Sequence, residues 1–228
     1  ELKKRVHIML ERMSKSPVLS AESYPDECWL FCNTVALAVI RMHDKLYGTD
    51  HSTFLERWVD IAKEKLENKS TGMLISSYEV DGKPAATGRC PEGSSIFMAS
   101  HMLQIVDPQF ASDQYQRAKT YLVGSAFGFG YAREWSKYCV GYIDIDSGPI
   151  VPFIEASASA SGMAILGATS FDDEETLVRL LRSLEFMGFP IESEKKLVYQ
   201  ASNPVGDAVL LYAMVQGALW SKVLEGTQ

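Results

Sequence analysis

Apolar residues recur at helical spacing along most of the chain, and breaks rich in Gly, Pro and turn residues separate the periodic stretches. The pattern predicts a short strand in "KLVYQA", a small β-hairpin around an Asp81-Gly82 turn in "TGMLISSYEVDGKP", and a long loop from Ser125 rich in Gly and aromatic residues. It predicts eight helices, near residues 2–14, 26–47, 53–68, 92–105, 108–124, 155–168, 172–188 and 206–224.

The predicted helices alternate in character along the chain. Even-numbered helices are apolar on every side, whereas odd-numbered ones carry a single apolar stripe, as Phe54, Trp58 and Ile61 do in the third. A helix without a polar face must be covered on all sides, and a striped helix covers something else. We therefore predict an all-α fold in which an outer ring of helices surrounds an inner ring, an (α/α) toroid with a small β-hairpin insertion.

The number of helices bears on domain organisation. Toroids of this kind usually contain six helical hairpins, and this pattern supplies about four. We expect residues 1–228 to form a single (α/α) toroid domain, resembling an (α/α)6 barrel without its N-terminal hairpins, which is the C-terminal part of a longer protein.

Composition narrows the classes of function. The chain has 228 residues, of which 46% are hydrophobic and 22% charged, an ordinary globular balance. Its net charge of -7 and its lack of Lys or Arg runs argue against nucleic acid as a partner. No apolar stretch reaches the roughly 18 residues of a membrane span, so the chain is expected to be soluble. Four scattered cysteines do not form a disulfide framework and leave the compartment open, with the periplasm or secretion possible if a signal segment lies upstream.

The stretch "SYPDECWLFCNT" begins the second predicted helix. Pro25 favours a turn, and Asp26 fits an N-cap or a first-turn acid. On a helix, Asp26, Trp29 and Asn33 share one face, which suits a pocket at the open end of an inner helix. Both interpretations remain open.

The cysteine pair in this stretch, Cys28 and Cys32, has the spacing of two metal ligands. No second Cys or His pair with a matching spacing follows, so we predict no metal site. Cys32 would need a neighbouring base or a lowered pKa to act as nucleophile or general acid, and the alternative is a small buried apolar residue.

A second group lies in "GYIDIDSGPIVPFIEASASASG". Asp144 and Asp146 alternate, so in an extended segment both face the same side, beside a Ser-Gly-Pro turn. The acids belong either to a solvated loop or to an acid–base loop at the mouth of the toroid. Glu155 is either the first-turn acid of the sixth helix or a pocket acid.

A third group, "GRCPEGSS", precedes the fourth helix. Glu92 suits the helix dipole, and Arg89 could bind a carboxylate or phosphate. Ser94 follows in the first turn. None of the histidines is placed as a base, and His101 is predicted to be a core residue of the fourth helix.

The stretch "YPDECWLFCNTVALAVIRMHDKLYGTDHSTFLERWVDIAKEKL" resembles the linalool dehydratase-isomerase family. It shares a Pro-Asp, a later Cys-Asn, a helix ending in Asp-(Lys/Arg)-Leu-x-Gly-Thr-Asp, and a next helix with Trp-x-Asp-x-x-x-Lys. Weaker similarity covers most of the chain. Cys32 matches the second pocket cysteine of the family, Ser23 stands where the first would be, and a pocket tyrosine falls near Ser94.

The resemblance implies an (α/α)6 toroid, active sites between the subunits of a ring, and the addition or removal of water across an allylic alcohol without a cofactor. We therefore expect a hydro-lyase or isomerase, acting on a small alcohol or terpenoid. Its catalytic candidates are Asp26, Cys32, Asp144 and Asp146. Its candidate substrate-binding residues are Ser23, Trp29, Asn33, Arg89, Glu92, Ser94 and Glu155.

Two other functions remain open. Six-hairpin toroids also host glycosidases, lyases and epimerases, which use paired carboxylates and aromatic platforms. A non-catalytic scaffold is the third interpretation. The expected partners are a small-molecule substrate, and either further copies of the chain or the missing N-terminal portion.

Overall fold

The computed structural model describes residues 1–86, 88–141, 150–194 and 196–225. One π-helical turn, Ala62–Leu66, extends the third helix. The α-helices in this part of the chain are α1 Leu2–Met13, α2 Leu30–Tyr47, α3 Ser52–Ile61, α4 Gly93–Leu103, α5 Pro108–Leu122, α6 Ala158–Ser170, α7 Glu174–Met187, α8 Pro204–Val215 and α9 Gly217–Leu224. Among the described residues, none of the helices combines the length and the apolar character that a bilayer span needs.

The strands are short and form four separate antiparallel pairs, β1-β2, β3-β4, β5-β6 and β7-β8. The described residues contain no closed barrel. The predicted all-α class is therefore confirmed, and the arrangement is consistent with a helical toroid that carries small β insertions. The strands are β1 Cys28–Trp29, β2 Ser77–Tyr78, β3 Val123–Ala126, β4 Phe129–Ala132, β5 Ile150–Val151, β6 Ala156–Ser157, β7 Pro190–Ser193 and β8 Lys196–Tyr199.

The core lies around α4 and α6, the two small-residue helices that were predicted to be covered. Helix α4 packs against α2, α5 and α6, and nearly all of its residues are buried. At Gly167 of α6, an added Cβ would lie 3.1 Å from the rings of both Phe97 and Tyr115. Small residues in α6 therefore allow the close helix packing that its sequence predicts.

The predicted start of α2 at residue 26 is wrong. Asp26 has a left-handed backbone, with φ of 60°, in a tight turn in which Tyr24 and Glu27 form a β-bridge. Cys28 and Trp29 are then extended, because they pair with β2. The helix begins only at Leu30, so Asp26 is neither its N-cap nor its first-turn acid.

The β elements also differ from the prediction. The turn at Asp81-Gly82 forms. The strand before it, β2, pairs with β1 as well as with the segment after the turn, whereas the prediction had only the second pairing. The Gly- and aromatic-rich stretch, predicted as a loop from Ser125, begins as the β3–β4 hairpin. Its turn residues Phe127 and Gly128 both have positive φ, which is the conformation that tight hairpins require.

Two helix predictions near the C-terminus need correction. Helix α6 begins after Ser157, whose side chain accepts a hydrogen bond from the Ala160 amide, and Glu155 precedes it with φ of 58°. The last predicted helix is divided into α8 and α9. In α8 only Ala213 is buried, so this apolar helix is not covered on every side within the described residues.

A disulfide joins Cys90 to Cys139, two residues 49 positions apart. It ties the segment before α4 to the segment after β4. Closing a loop of this length restricts the unfolded chain and stabilises the fold by about 4 kcal/mol on the loop-entropy estimate. Spacing alone gave no sign of this pair.

His101 is buried where α4, α6, α8 and α9 meet, as predicted for a core residue. Its Nδ1 lies 2.8 Å from Ser170 Oγ, its Nε2 lies 2.9 Å from Tyr212 Oη, and its ring stacks on Trp220. Burial lowers the pKa of His101 to about 4. The imidazole is therefore neutral in the folded protein at neutral pH.

This residue makes stability depend on pH. Between pH 6.5 and 4 the unfolded chain binds a proton at His101 that the folded protein excludes, so stability is lost as the pH falls through this window. From pH 7 to pH 5 we expect His101 to lower the free energy of unfolding by about 2 kcal/mol. Urea unfolding at several pH values checks this, with His101→Gln expected to show a weaker dependence. His7→Gln, at an exposed position of α1, is the control, and equal pH dependence in all three proteins would contradict the prediction.

Candidate active site

Helices α2 and α4 begin at the same end of the molecule, joined through Ser76. The Leu30 amide donates to the Ser76 carbonyl at 2.9 Å, and the Glu92 amide donates to Ser76 Oγ at 2.8 Å. Ser76 has no exposed surface. One buried serine therefore fixes the starts of two inner helices relative to each other.

Glu134 connects the starts of α4 and α6. Its Oε1 accepts hydrogen bonds from Ser94 Oγ at 2.5 Å and from the Ser94 amide at 3.3 Å. Its Oε2 accepts one from Ser157 Oγ at 2.9 Å, and its backbone carbonyl accepts one from the Gly93 amide at 2.7 Å. We call Ser76, Glu92, Ser94, Glu134 and Ser157 the helix-start cluster.

The electrostatics of this cluster favour a buried acid. Glu134 is 1% exposed and lies against the N-termini of two helices, where the helix dipoles place partial positive charge. Glu92, at the N-cap position of α4, is 6% exposed, and Ser95 Oγ lies 3.4 Å from its Oε2. Two buried carboxyl groups thus accompany the first turn of α4.

Sequence reasoning missed Glu134. It lies two residues after β4, in a stretch that was predicted to be a loop, and its hydrogen-bond partners are 40 and 23 residues away. The only local signal was an acid placed between Arg133 and Trp135. Ser94 and Glu92, in contrast, were both predicted site residues, and the structure places both in the cluster.

The two free cysteines differ in accessibility. Cys32 lies in the first turn of α2 and is exposed. Cys28 has no exposed surface, and its pKa is raised to about 11 by burial and by the carboxylates of Glu22 and Glu27. At neutral pH Cys28 is a buried thiol. Cys32 is therefore the cysteine that a substrate could reach.

Asn33 is 2% exposed and is held by the backbone. Its Oδ1 accepts from the Ala21 amide at 2.8 Å, and its Nδ2 donates to the carbonyls of Ala21 and Trp29 at 3.0 and 2.9 Å. The side chain therefore fastens the preceding loop to α2. Trp29 Nε1 is buried and has no hydrogen-bond partner among the described residues.

Ser23 and Asp26 lie in the turn before α2. Ser23 Oγ accepts a hydrogen bond from the Trp29 amide at 3.2 Å, so Ser23 contacts the start of the helix. Asp26 is exposed, and its amide donates to Glu22 Oε1 at 2.8 Å. Of these two residues, Ser23 is the one whose side chain is hydrogen-bonded to the residue before α2.

The remaining predicted residues are exposed or lie outside the described residues. Arg89 is exposed beside the disulfide. Glu155 is exposed too, with its Oε2 3.6 Å from Arg133 Nε. Asp144 and Asp146 fall within 142–149, outside the described residues.

The family model described as linalool dehydratase/isomerase matches residues 3–204 of this chain. The matched span begins in α1 and ends at the first residue of α8. It therefore includes the helix-start cluster and every candidate site residue named above.

The cysteines give a direct test of this geometry. In the native chain without reductant, we expect a chromogenic disulfide reagent to titrate one thiol, Cys32, because Cys28 is buried and the other two are bonded. Unfolding in urea should expose a second thiol, and reduction after unfolding all four. Cys32→Ser should abolish the native reaction. Two or more thiols reacting rapidly in the native wild type would contradict the assignment.

Proposed function

The chain belongs to the linalool dehydratase/isomerase family, and we propose that it catalyses cofactor-independent acid–base chemistry on a small alcohol or terpenoid. The reaction is a hydration or dehydration, or an isomerisation of the alcohol. One observation carries the proposal: Ser94 is partly exposed, and its hydroxyl donates to a carboxylate, that of Glu134, which is 1% exposed.

The reaction sets the requirements for the site. In a dehydration the C–O bond breaks with its electron pair on oxygen, which takes a proton and leaves as water. A neighbouring C–H bond loses its proton to a base, and its electron pair forms the double bond. The site therefore needs one proton donor and one proton acceptor within hydrogen-bond reach of the substrate.

Ser94 and Glu134 supply the acceptor in this proposal. Ser94 Oγ lies 2.5 Å from Glu134 Oε1, a charge-assisted hydrogen bond. As Ser94 takes a proton from the substrate, it passes its own proton to Glu134. Ser157 Oγ, at 2.9 Å from the other oxygen, holds the carboxylate in place.

The predicted catalytic residues remain candidates for a second proton-transfer group. Asp26 or Asp144 acts as the general acid or base, Asp146 accompanies Asp144, and Cys32 lines the pocket and assists. Ser23, Trp29 and Glu92 are the binding candidates at or beside the helix starts. Asn33, Arg89 and Glu155 remain candidate binding residues, although Asn33 is engaged by the backbone and the other two are exposed.

The exposed side of α8 supports a homo-oligomer as part of the proposal. Val205, Leu211 and Met214 are 71%, 61% and 83% exposed, although the helix is apolar. Sedimentation at micromolar concentration tests this, and a monomer would contradict it.

A carbohydrate-active enzyme is the second candidate. Glu92 and Glu134 are two acids at one helix start, and Tyr138 is an exposed aromatic nearby in sequence. In glycosidases, however, both carboxyl groups must flank the sugar bond. Glu134 is covered by Ser94 and Ser157, which favours relay chemistry over direct attack. In the third candidate, a scaffold, Glu134 only links helix starts.

We expect Ser94→Ala and Glu134→Gln to lower kcat on allylic terpene alcohols by at least about 100-fold, the contribution of a positioned proton-transfer group. Ser100→Ala is the matched control, because it removes from the same helix a buried hydroxyl that donates to the Ile96 carbonyl. Cys32→Ala and Asp26→Asn complete the series, and melting temperatures establish that each variant is folded.

Each result favours one function. Loss of alcohol turnover in folded Ser94→Ala, with Ser100→Ala active, supports the proposal, and wild-type turnover in Ser94→Ala refutes the relay. Cleavage of oligosaccharides by the wild type, without conversion of alcohols, favours the carbohydrate-active enzyme. No turnover of either class, with a lower melting temperature for Glu134→Gln, favours the scaffold.

A further inference from the structure

The corner between α2 and α3 lies at the opposite end of α2 from Cys32. Gly48 ends α2 with φ of 64°, a left-handed conformation that glycine adopts readily. The chain reverses there, and His51 becomes the N-cap residue of α3. This reversal brings His51 back over the last turn of α2, which carries His43 and Asp44.

The side chains at this corner converge on one carboxylate. Asp44 is 7% exposed, and its Oδ2 accepts from the His51 amide at 2.9 Å. Its Oδ1 accepts from Thr49 Oγ1 at 2.7 Å and lies 2.5 Å from His51 Nδ1. His43 Nδ1 lies 3.0 Å from Thr49 Oγ1 and 4.0 Å from Asp44 Oδ1. One potential ligand atom from each of His43, Asp44 and His51 lies within 4.8 Å of the other two.

We propose that His43, Asp44 and His51 form a binding site for a divalent d-block cation such as Zn²⁺. Zinc binds imidazole nitrogen and carboxylate oxygen at about 2.0 to 2.2 Å, so ligand atoms around a tetrahedral ion are about 3.3 Å apart. The distances of 2.5 and 4.0 Å from Asp44 Oδ1 to the two Nδ1 atoms bracket that value. Binding requires rotations of the two rings that bring all three atoms to bonding distance.

The set of ligand atoms selects the kind of cation. Two imidazoles and one carboxylate suit zinc, cobalt or nickel, whereas Mg²⁺ and Ca²⁺ prefer oxygen ligands throughout. The side chain of His51 is 29% exposed, which gives solvent a path to the site. On binding, the cation replaces the hydrogen bond between His51 Nδ1 and Asp44 Oδ1, and the neutral imidazole carries its one proton on Nε2.

The site would act as a structural clamp. His43 and Cys32 are eleven positions apart on one helix, which separates them by about 16 Å along its axis. The cation is therefore remote from the helix-start cluster and takes no part in the chemistry proposed there. It joins the end of α2 to the start of α3 and stabilises the folded chain by mass action.

The experiment uses the chain without an affinity tag, treated with chelator and then titrated with ZnSO₄ by calorimetry. We expect one equivalent to bind with micromolar affinity and to raise the melting temperature. Co²⁺ should give visible absorption bands that report nitrogen and oxygen ligation. His51→Gln and His43→Gln should each weaken Zn²⁺ binding by at least about tenfold. His7→Gln, an exposed histidine of α1 outside the corner, is the matched control and should bind as the wild type does.

The inference is overturned if the wild type binds no Zn²⁺ below millimolar concentration, or if His51→Gln and the wild type have equal affinity. His43 is only 8% exposed, so its variant could unfold, whereas the partly exposed His51 provides a variant expected to fold. Weak binding lost equally in the His7 variant would show surface histidine binding only, which also overturns it. Lower stability of His51→Gln without any Zn²⁺ effect would show that Asp44 serves hydrogen bonding alone.

Discussion

A carboxylate that is almost fully buried must be compensated by the protein itself, because removing a charge from water costs several kcal/mol. Glu134, at 1% exposure, meets this constraint with two serine hydroxyls, one amide and the N-termini of α4 and α6. These groups come from two parts of the chain, the first turn of α4 and the residue before α6. The packing of α6 against α4 and the path of the chain after β4 must therefore both be in place before Glu134 can be buried.

The rest of the site depends on the same arrangement. Ser76 joins the start of α2 to that of α4, so Cys32 lies at the same end as Glu134. The disulfide binds Cys90, two residues before Glu92, to Cys139, five residues after Glu134. The two segments that carry the buried acids are thus covalently joined, which limits their relative motion. A fixed geometry of this kind is what acid–base chemistry requires, since a small displacement of the reacting groups is costly in rate.

The helices could be predicted from the sequence because their apolar spacing is local. Helix α4 is nearly all buried, as its composition indicates, whereas α6 is buried at six of its 13 residues. The start of α2 could not be predicted. A Pro-Asp pair fits a helix start as well as a turn, and what decides is the pairing of Cys28–Trp29 with Ser77–Tyr78, about fifty residues further along. Glu134 was missed for the same reason, since nothing beside it in sequence indicates that it is buried. Periodicity also gave no sign that apolar α8 would be exposed, because an inner helix is covered only where neighbouring helices reach it.

Helix α2 relates the two ends of the molecule. It is an uninterrupted helix of 18 residues, about 27 Å long, buried along one side by residues such as Leu37 and Ile40. Its first turn carries Cys32 and its last turn carries His43 and Asp44. The hydrogen bonds of Asp44 fix the turn between the end of α2 and the start of α3. A cation at that corner would strengthen the same restraint without entering the site.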